Sequence, residues 1–203
     1  MITNREEVID KAFKVFVKMN YERASIITLA RACGLTKTGI VYYFPHKLDL
    51  FVAVVDKYVL QLHDPTNKFA TPADTLAGFI EQYVAGVSRT MHRLITLLDD
   101  GNDPYHCCPN FYYIHFLSQV RMYYPDSMRK IEAIYRQEYA LWTDVIRRAK
   151  ESGEIKGDTN VQKAASLFRQ VFFGLSSEQA FLNGLDVNEL AENFHYIYSL
   201  LKV

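Results

Sequence analysis

The chain has 203 residues, of which 49% are hydrophobic and 23% are charged, the composition of an ordinary globular protein. No apolar run approaches the roughly 18–20 residues that a helix needs to cross a bilayer, and this excludes a membrane-spanning protein. The N-terminus is polar and lacks the apolar stretch of a signal peptide. We therefore expect a cytoplasmic protein that has no membrane partner.

The formal net charge is zero, but the charges are unevenly distributed. Residues 1–50 contain eight lysines and arginines and five acidic residues, which gives an excess of three positive charges (eight minus five). The remainder of the chain therefore carries a net charge of minus three. This asymmetry favours a small basic domain, of the kind that approaches nucleic acid, on an acidic body.

Helical periodicity runs through the chain. Apolar residues recur at spacings of three and four, and no segment alternates convincingly with period two. The pattern predicts an all-α fold of nine or ten helices. We place the helices at about residues 5–19, 26–33, 37–43, 46–63, 73–98, 110–123, 125–152, 161–183 and 187–201.

Two short helices are joined within residues 25–47. Ser25 is placed to cap the first of them, and Gly34 supplies the left-handed residue that ends it. Thr36 then caps the second helix, which Pro45 interrupts because proline cannot donate the backbone hydrogen bond of a continuing helix. These are the proportions of a helix-turn-helix, whose second helix lies in the major groove of DNA.

The residues of this stretch also resemble a family. Residues 29–47 read Leu-Ala-x-x-Cys-Gly-Leu-Thr-Lys-x-x-Ile-x-Tyr-Tyr-Phe-Pro-x-Lys. This order resembles the DNA-binding domain of TetR-type (tetracycline-repressor-like) transcriptional regulators, and the close match covers about residues 5–51. The resemblance implies a three-helix DNA-binding domain over residues 1–50, followed by a larger helical body for effector binding and dimerisation over residues 51–203.

The resemblance also assigns roles at matching positions. Base-edge contacts are expected in the second helix, and phosphate contacts at its start and on the residues that follow it. Val41 stands where the family usually has a phosphate-binding tyrosine, so this contact is either lost or moved to a neighbouring tyrosine. The predicted DNA-binding residues are Ser25, Thr36, Lys37, Thr38, Gly39, Tyr42, Tyr43 and Lys47.

The C-terminal helices are strongly apolar, which fits either the core of a single chain or a pairing surface. The resemblance favours a homodimer that pairs through a four-helix interface, with Ala164, Phe168, Phe172 and Leu175 in the contact. The middle of the chain is rich in aromatic residues, which either pack the core or line an apolar effector pocket. The candidate pocket residues are Met91, Phe111, Tyr112, His115, Phe116, Tyr123, Tyr139 and Trp142.

Three cysteines are too few for a disulfide scaffold. Cys107 and Cys108 are adjacent and follow His106, which leaves three interpretations open: a redox sensor, half of a metal site, or two small residues without a chemical role. A metal site normally needs three or four ligands, and no others are evident. We therefore predict neither a metal nor a cofactor.

The function predicted from these features is transcriptional regulation. The protein would bind double-stranded DNA at a pseudo-palindromic operator and repress until a small, largely apolar effector binds. An architectural or division-control DNA-binding protein of the same fold, without an effector, is the alternative. A helical enzyme is disfavoured because the sequence shows no phosphate loop, no pair of metal ligands four residues apart and no nucleophile motif.

Overall fold

The computed structural model describes residues 4–62, 73–98 and 109–203. The chain divides into two compact units. The first unit comprises Met1–His63 and Tyr112–Ile131, and the second comprises Asp64–Phe111 and Glu132–Val203. The boundary at residue 50 between a DNA-binding domain and an effector body stays a prediction.

Within the described ranges the structure contains nine α-helices and one isolated β-bridge, between Ile155 and Lys202, which confirms the all-α fold. Most predicted helix boundaries lie within three residues of the observed ones. The helices are α1 (Arg5–Met19), α2 (Ile26–Cys33), α3 (Lys37–Tyr43), α4 (Lys47–Val55), α5 (Leu76–Leu98), α6 (Pro109–Tyr123), α7 (Ser127–Glu151), α8 (Val161–Ala180) and α9 (Val187–Leu201).

The helix predicted from residue 46 to residue 63 is α-helical only as far as Val55. It continues as a π-helical turn, Asp56–Leu60, in which the backbone N–H of Gln61 donates to the carbonyl of Asp56, five residues earlier. In this turn the Tyr58 ring stacks on Phe13 at 4.0 Å between centroids. The π turn is a correction to the predicted uninterrupted helix, and His63, its predicted end, lies outside the described residues.

The start of α5 is three residues later than predicted, and two side chains cap it there. The Glu154 carboxylate accepts the backbone N–H groups of Leu76 and Ala77, each at 2.9 Å. The first N–H groups of a helix have no intrahelical partner, and a carboxylate there also complements the helix dipole. The Thr75 hydroxyl also accepts the N–H of Gly78 at 3.0 Å, so a local residue and one 78 positions away in sequence together cap α5.

The core of the first unit is built around the apolar stripe of α1. Phe13 and Phe16 are fully buried, as the sequence pattern predicted. The Phe13 ring meets Phe116 edge-on at 5.4 Å, and the Phe16 ring meets Phe51 in the same way at 5.1 Å. The part of α6 that begins at Tyr112 therefore packs with the N-terminal helices in one core.

The core of the second unit is centred on Trp142 of α7, which is completely buried. Its ring stacks on Phe168 of α8 at 4.6 Å and meets Phe79 of α5 and Phe194 of α9 edge-on. Four helices thus contribute to one aromatic cluster. Burying such rings is the main stabilising contribution of a core of this kind, at about 25 cal/mol per Å² of apolar surface.

Candidate nucleic-acid interface

The two short helices α2 and α3 are bounded by the residues that the sequence indicated. Ser25 caps α2, and its Oγ accepts the backbone N–H of Thr28 at 3.0 Å. Gly34 ends the helix in the left-handed conformation, with φ of +69°. Its N–H donates to carbonyls of the last turn of α2, and the chain then reverses directly into α3.

Helix α3, the predicted DNA-reading helix, is capped by Thr36, whose Oγ1 accepts the N–H of Gly39 at 3.0 Å. A Cβ at residue 39 would lie 3.3 Å from that same oxygen, tighter than an ordinary contact, so glycine leaves the cap undisturbed. Ile40 and Phe44 anchor the helix in the core of the first unit, and the Arg5 guanidinium lies 4.5 Å above the Phe44 ring. The helix is therefore held by its inner face and its cap.

The opposite face of α3 carries predicted DNA contacts. Lys37, Thr38 and Tyr42 are exposed, and Tyr42 has 84% of its surface accessible. Tyr43 is half-buried, and the two tyrosine rings meet edge-on at 5.3 Å. Ammonium and hydroxyl groups on one exposed helix can hydrogen-bond to DNA, whose major groove is wide enough to admit an α-helix.

Lys47, the last predicted DNA contact, is held by the turn between α1 and α2. Its Nζ donates to the carbonyl of Tyr21 at 2.9 Å and lies 4.2 Å above the centre of that residue's ring. Burial raises the pKa of the Tyr21 hydroxyl, and the nearby Asp49 carboxylate raises it further. The ammonium has three donors, so two remain for other partners once Tyr21 is engaged.

Asp49 stabilises the start of α4. His46 occupies the cap position, and the Asp49 carboxylate accepts the backbone N–H of His46 at 3.0 Å. This contact is the second half of a capping box, in which the third helical residue reaches back to the cap position. The segment from α3 into α4 is thereby held in register.

One residue of this region was missed by sequence reasoning. Gln119 of α6 is 3% exposed, and its Oε1 accepts the backbone N–H of Tyr21 at 2.7 Å. Its Nε2 donates to the carbonyl of Phe16, the last turn of α1, at 3.1 Å. The Tyr123 ring, one turn further along α6, stacks on Tyr21 at 4.6 Å. No local sequence signal identifies a glutamine whose partners lie about a hundred residues away.

Lys57 is occupied within the first unit. It forms an ion pair with Glu6 and another with Asp10. Burial lowers the pKa of the Lys57 ammonium, but its hydrogen bonds to Asp10 and Glu6 outweigh this effect, so that the net pKa is raised. This lysine is therefore a structural cation of the first unit.

The predicted pocket residues are divided between the two units. Tyr112, His115, Phe116 and Tyr123 belong to the first unit, and Met91, Phe111, Tyr139 and Trp142 to the second. Phe116 and Trp142 are each fully buried in the core of their own unit. The assignment of these eight residues to one effector pocket stays a prediction.

The predicted dimer residues on α8 have two kinds of environment. Ala164 and Phe168 are 6% and 0% exposed and belong to the core of the second unit. Phe172 and Leu175 are half-buried at the edge of that core. The outer face of α8 instead presents Leu167, Gly174 and, just beyond the helix, Phe181.

Cys33 is a buried thiol that faces the carbonyl of Val8, 3.8 Å from its sulfur. Burial raises the pKa of Cys33 to about 11, with Lys11 opposing the shift. His106, Cys107 and Cys108 lie outside the described residues, so their three interpretations stay open. In the described part of the chain no group of three or more His, Cys, Asp or Glu side chains could hold a metal ion.

Comparison with known proteins extends this picture. Residues 8–54 match the sequence model of the family described as "Bacterial regulatory proteins, tetR family". No curated protein matches the chain. Among the helices that the structure describes, none combines the length and the apolar character needed to span a membrane.

Solved structures with the same fold cover nearly the whole chain. A Saccharomonospora viridis protein in complex with choline superposes with a TM-score of 0.67 at 16% identity, covering 98% of this chain and 97% of its own. E. coli NemR in its reduced form has a TM-score of 0.64 at 12% identity, covering 97% of this chain and 96% of its own. The regulatory protein TetR from Rhodobacter sphaeroides has a TM-score of 0.62 at 16% identity, covering 97% of each chain.

Proposed function

We propose that this chain is a TetR-type DNA-binding regulator, and not an enzyme, and that it represses transcription from pseudo-palindromic operators as a homodimer. A small, largely apolar effector that binds the second unit relieves the repression. Bacterial operators are read in the cytoplasm, and this is where we place the protein. The observation that carries the proposal is the capped α2–turn–α3 arrangement with Lys37, Thr38 and Tyr42 exposed on its outer face.

Each predicted DNA contact has a proposed role. Phosphate contacts fix the position of a protein on the duplex, whereas contacts to base edges read the sequence. Val41 is half-buried and cannot make the phosphate contact that a tyrosine usually makes at its position. We assign this contact to Tyr43, which lies beside the more exposed Tyr42. The phosphate contacts are Ser25, Thr36, Lys37, Tyr43 and Lys47, and the base contacts are Thr38, Gly39 and Tyr42.

The binding experiment is a fluorescence-anisotropy titration with DNA from the protein's own promoter region, repeated at several salt concentrations. We expect the affinity to fall steeply with salt, since Lys and Arg displace the counterions of phosphates. Tyr42→Ala should change the preference among operator variants. Met122→Ala is the matched control, because Met122 is also a large exposed side chain of the first unit but has no proposed DNA contact. Binding no tighter than to competitor DNA at any salt concentration contradicts the proposal.

We propose that α8 forms the dimer interface through a row of residues spaced by seven: Leu167, Gly174 and Phe181. Leu167 and Phe181 are 45% and 70% exposed. A Cβ at Gly174 would meet nothing within 4 Å, so the chain's own packing does not require glycine there. Glycine inside a helix costs about 1 kcal/mol relative to alanine. Close approach of the same helix in a second copy accounts for it, whereas Ala164 and Phe168 support the row from within the core.

The dimer experiment is sedimentation equilibrium of Gly174→Leu. We expect this variant to be monomeric, to lose operator affinity and to keep or raise its thermal stability, since leucine is the better helix former. Leu182→Glu is the matched control: Leu182 is 62% exposed but lies outside the seven-residue row. A Gly174→Leu variant that remains dimeric removes α8 from the interface.

Relief by an effector is tested separately from DNA binding. A ligand that binds the folded state raises its apparent melting temperature, so a thermal-shift screen with small apolar compounds should yield stabilising molecules. Those molecules should then release the protein from its operator. An architectural or division-control protein of the same fold would bind the DNA and respond to none of them.

A further inference from the structure

Two buried N–H donors of the second unit lack acceptors. Among the described residues no acceptor lies within hydrogen-bonding distance of the Trp142 indole Nε1 or the Arg169 Nε. A buried donor without a partner costs about 1–3 kcal/mol. The aromatic rings around Trp142 provide no acceptor for its indole N–H. The missing acceptor is therefore the feature to explain.

The Arg169 guanidinium lies at the edge of the aromatic cluster, with 19% of its side chain exposed. It lies over the rings of Tyr139 and Phe173, at 5.4 and 5.6 Å from their centres. Its contact with Glu138 is loose: the Nε to Oε2 distance is 3.7 Å, too long for a hydrogen bond. Arginine is normally the side chain that binds carboxylates in a tight fork, so this one retains donor capacity.

The Glu138 carboxylate, in contrast, has a hydrogen-bond donor. Its Oε1 accepts the hydroxyl of Tyr83 at 2.5 Å, and its side chain is only 14% exposed. Glu138 and Arg169 therefore form a neutral pair in which the carboxylate has a short hydrogen bond and the guanidinium does not. At this pair the unsatisfied group is a donor and there is no excess charge, whereas the two unpaired buried acceptors among the described residues of the second unit, Gln82 Oε1 and Asn110 Oδ1, belong to other residues.

The two donors lie on adjoining helices. Arg169 follows Phe168, the residue that stacks on Trp142, and its guanidinium covers Tyr139, which is about one helical turn before Trp142 on α7. Phe173, under the guanidinium, also meets the rings of Tyr135 and Phe172, and Phe172 meets Tyr83, so rings of α5, α7 and α8 adjoin this position. Such surroundings favour an apolar molecule and disfavour one that must bring a charge into them.

We infer that an uncharged apolar compound with a carbonyl oxygen binds near Trp142, where that oxygen accepts a hydrogen bond from the Arg169 guanidinium. This inference rests on the proposed function, since the compound is the effector that we propose there. A carboxylate would leave the neutral Glu138–Arg169 pair with one excess negative charge. A quaternary ammonium offers no acceptor at all.

The test uses four probes with the same phenyl and alkyl skeleton: 4-phenyl-2-butanone, 4-phenylbutyrate, 3-phenylpropyltrimethylammonium and butylbenzene. Trp142 is the only tryptophan of the chain, so its emission reports directly from the proposed site. We expect the ketone to shift the emission in a saturable titration and to bind at least about tenfold more tightly than the other three, which corresponds to one hydrogen bond. Equal binding of butylbenzene, or tighter binding of either ion, overturns the inference.

Three variants locate the site. Arg169→Lys keeps the charge but removes Nε, and Arg169→Gln removes the charge as well; both should weaken ketone binding. Arg136→Gln is the matched control, because Arg136 lies on the exposed side of α7, where it pairs with Glu132. Melting curves identify any variant that fails to fold, and the second Arg169 variant then carries the test. Unchanged ketone binding in a folded Arg169 variant overturns the assignment.

Operator release separates the two proposals. If the ketone binds at Trp142 but the operator complex survives, the site stands and relief of repression by this class of compound fails. If a cell extract releases the wild type and Arg169→Gln equally from the operator, regulation stands and this site is overturned.

Discussion

The Lys47 ammonium is bound twice by one residue, through the carbonyl oxygen of Tyr21 at 2.9 Å and through the face of its ring at 4.2 Å. Lys47→Ala should therefore have two effects. The free energy of unfolding should fall by about 1–2 kcal/mol, the sum of a hydrogen bond and a cation–π contact. Operator affinity should fall for all sequences alike, with a salt slope about one unit smaller. Urea unfolding and salt-dependent anisotropy measure the two effects.

Lys37→Ala is the comparison for that variant. Lys37 is also a predicted phosphate contact, but it lies exposed at the start of α3. We expect the same loss of salt slope, with a change in unfolding free energy below about 0.5 kcal/mol. Equal stability of the two variants would show that the contacts between Lys47 and Tyr21 contribute nothing.

Gln119→Leu should destabilise the first unit strongly. The substitution keeps the volume but leaves the Phe16 carbonyl and the Tyr21 N–H without their side-chain partner. The Tyr21 N–H left unsatisfied costs about 1–3 kcal/mol, whereas the Phe16 carbonyl keeps the backbone N–H of Asn20 as a partner. Ser118→Ala is the neighbouring control, since its exposed hydroxyl bonds only within its own helix, and it should cost less than about 0.5 kcal/mol. Matching urea midpoints for the two variants would contradict this role of Gln119.

The contrast between Ser25 and Gln119 shows what the sequence could predict. Ser25, Gly34 and Thr36 act on residues within five positions, and caps and turn glycines of this kind can be identified from local patterns. Gln119 and Glu154 cap or hold backbone groups 77 or more positions away, and nothing beside them in sequence indicates these partners. The bounds of α2 and α3 were therefore predictable, and the contacts of Gln119 on α6 with the N-terminal helices were not.

The same argument applies to the body. Periodicity predicted that α8 is apolar, but it did not separate the face that packs on Trp142 from the face that points to solvent. Phe168 and Leu167 are neighbours in sequence and equally apolar, yet the first is fully buried and the second 45% exposed. Only the packing of α8 against three other helices makes that distinction.

Gly34→Ala should destabilise the protein through backbone strain alone. Gly34 has φ of +69°, and a Cβ there would contact nothing within 4 Å. The left-handed conformation costs an L-residue about 1–2 kcal/mol. Gly157 also has open space around its Cβ position, but its φ is outside that region, so Gly157→Ala should be neutral. Thermal unfolding of both variants checks the difference, and a neutral Gly34→Ala would refute the strain argument.

Cys33 should resist alkylation while the protein is folded. Its pKa of about 11 means that about one thiol in a thousand is ionised at pH 8, and only the thiolate reacts. Raising the pH toward 11 should speed labelling of the folded protein, and urea should expose the thiol at pH 8. Iodoacetamide labelling followed by peptide mass spectrometry separates Cys33 from Cys107 and Cys108. Rapid labelling of Cys33 at pH 8 without denaturant contradicts the prediction.

Gly39 limits the number of base pairs that α3, the proposed recognition helix, can discriminate. It occupies the middle of a seven-residue helix without a side chain, and the exposed side chains beside it are those of Lys37, Thr38 and Tyr42. So few side chains discriminate only a few base pairs, whereas a genome offers roughly a million or more competing positions. A single copy would therefore bind many equivalent sites on a chromosome. In the proposed dimer, specificity for one operator requires two half-sites at a fixed separation. A change in that spacing should therefore weaken binding as much as a change in the bases.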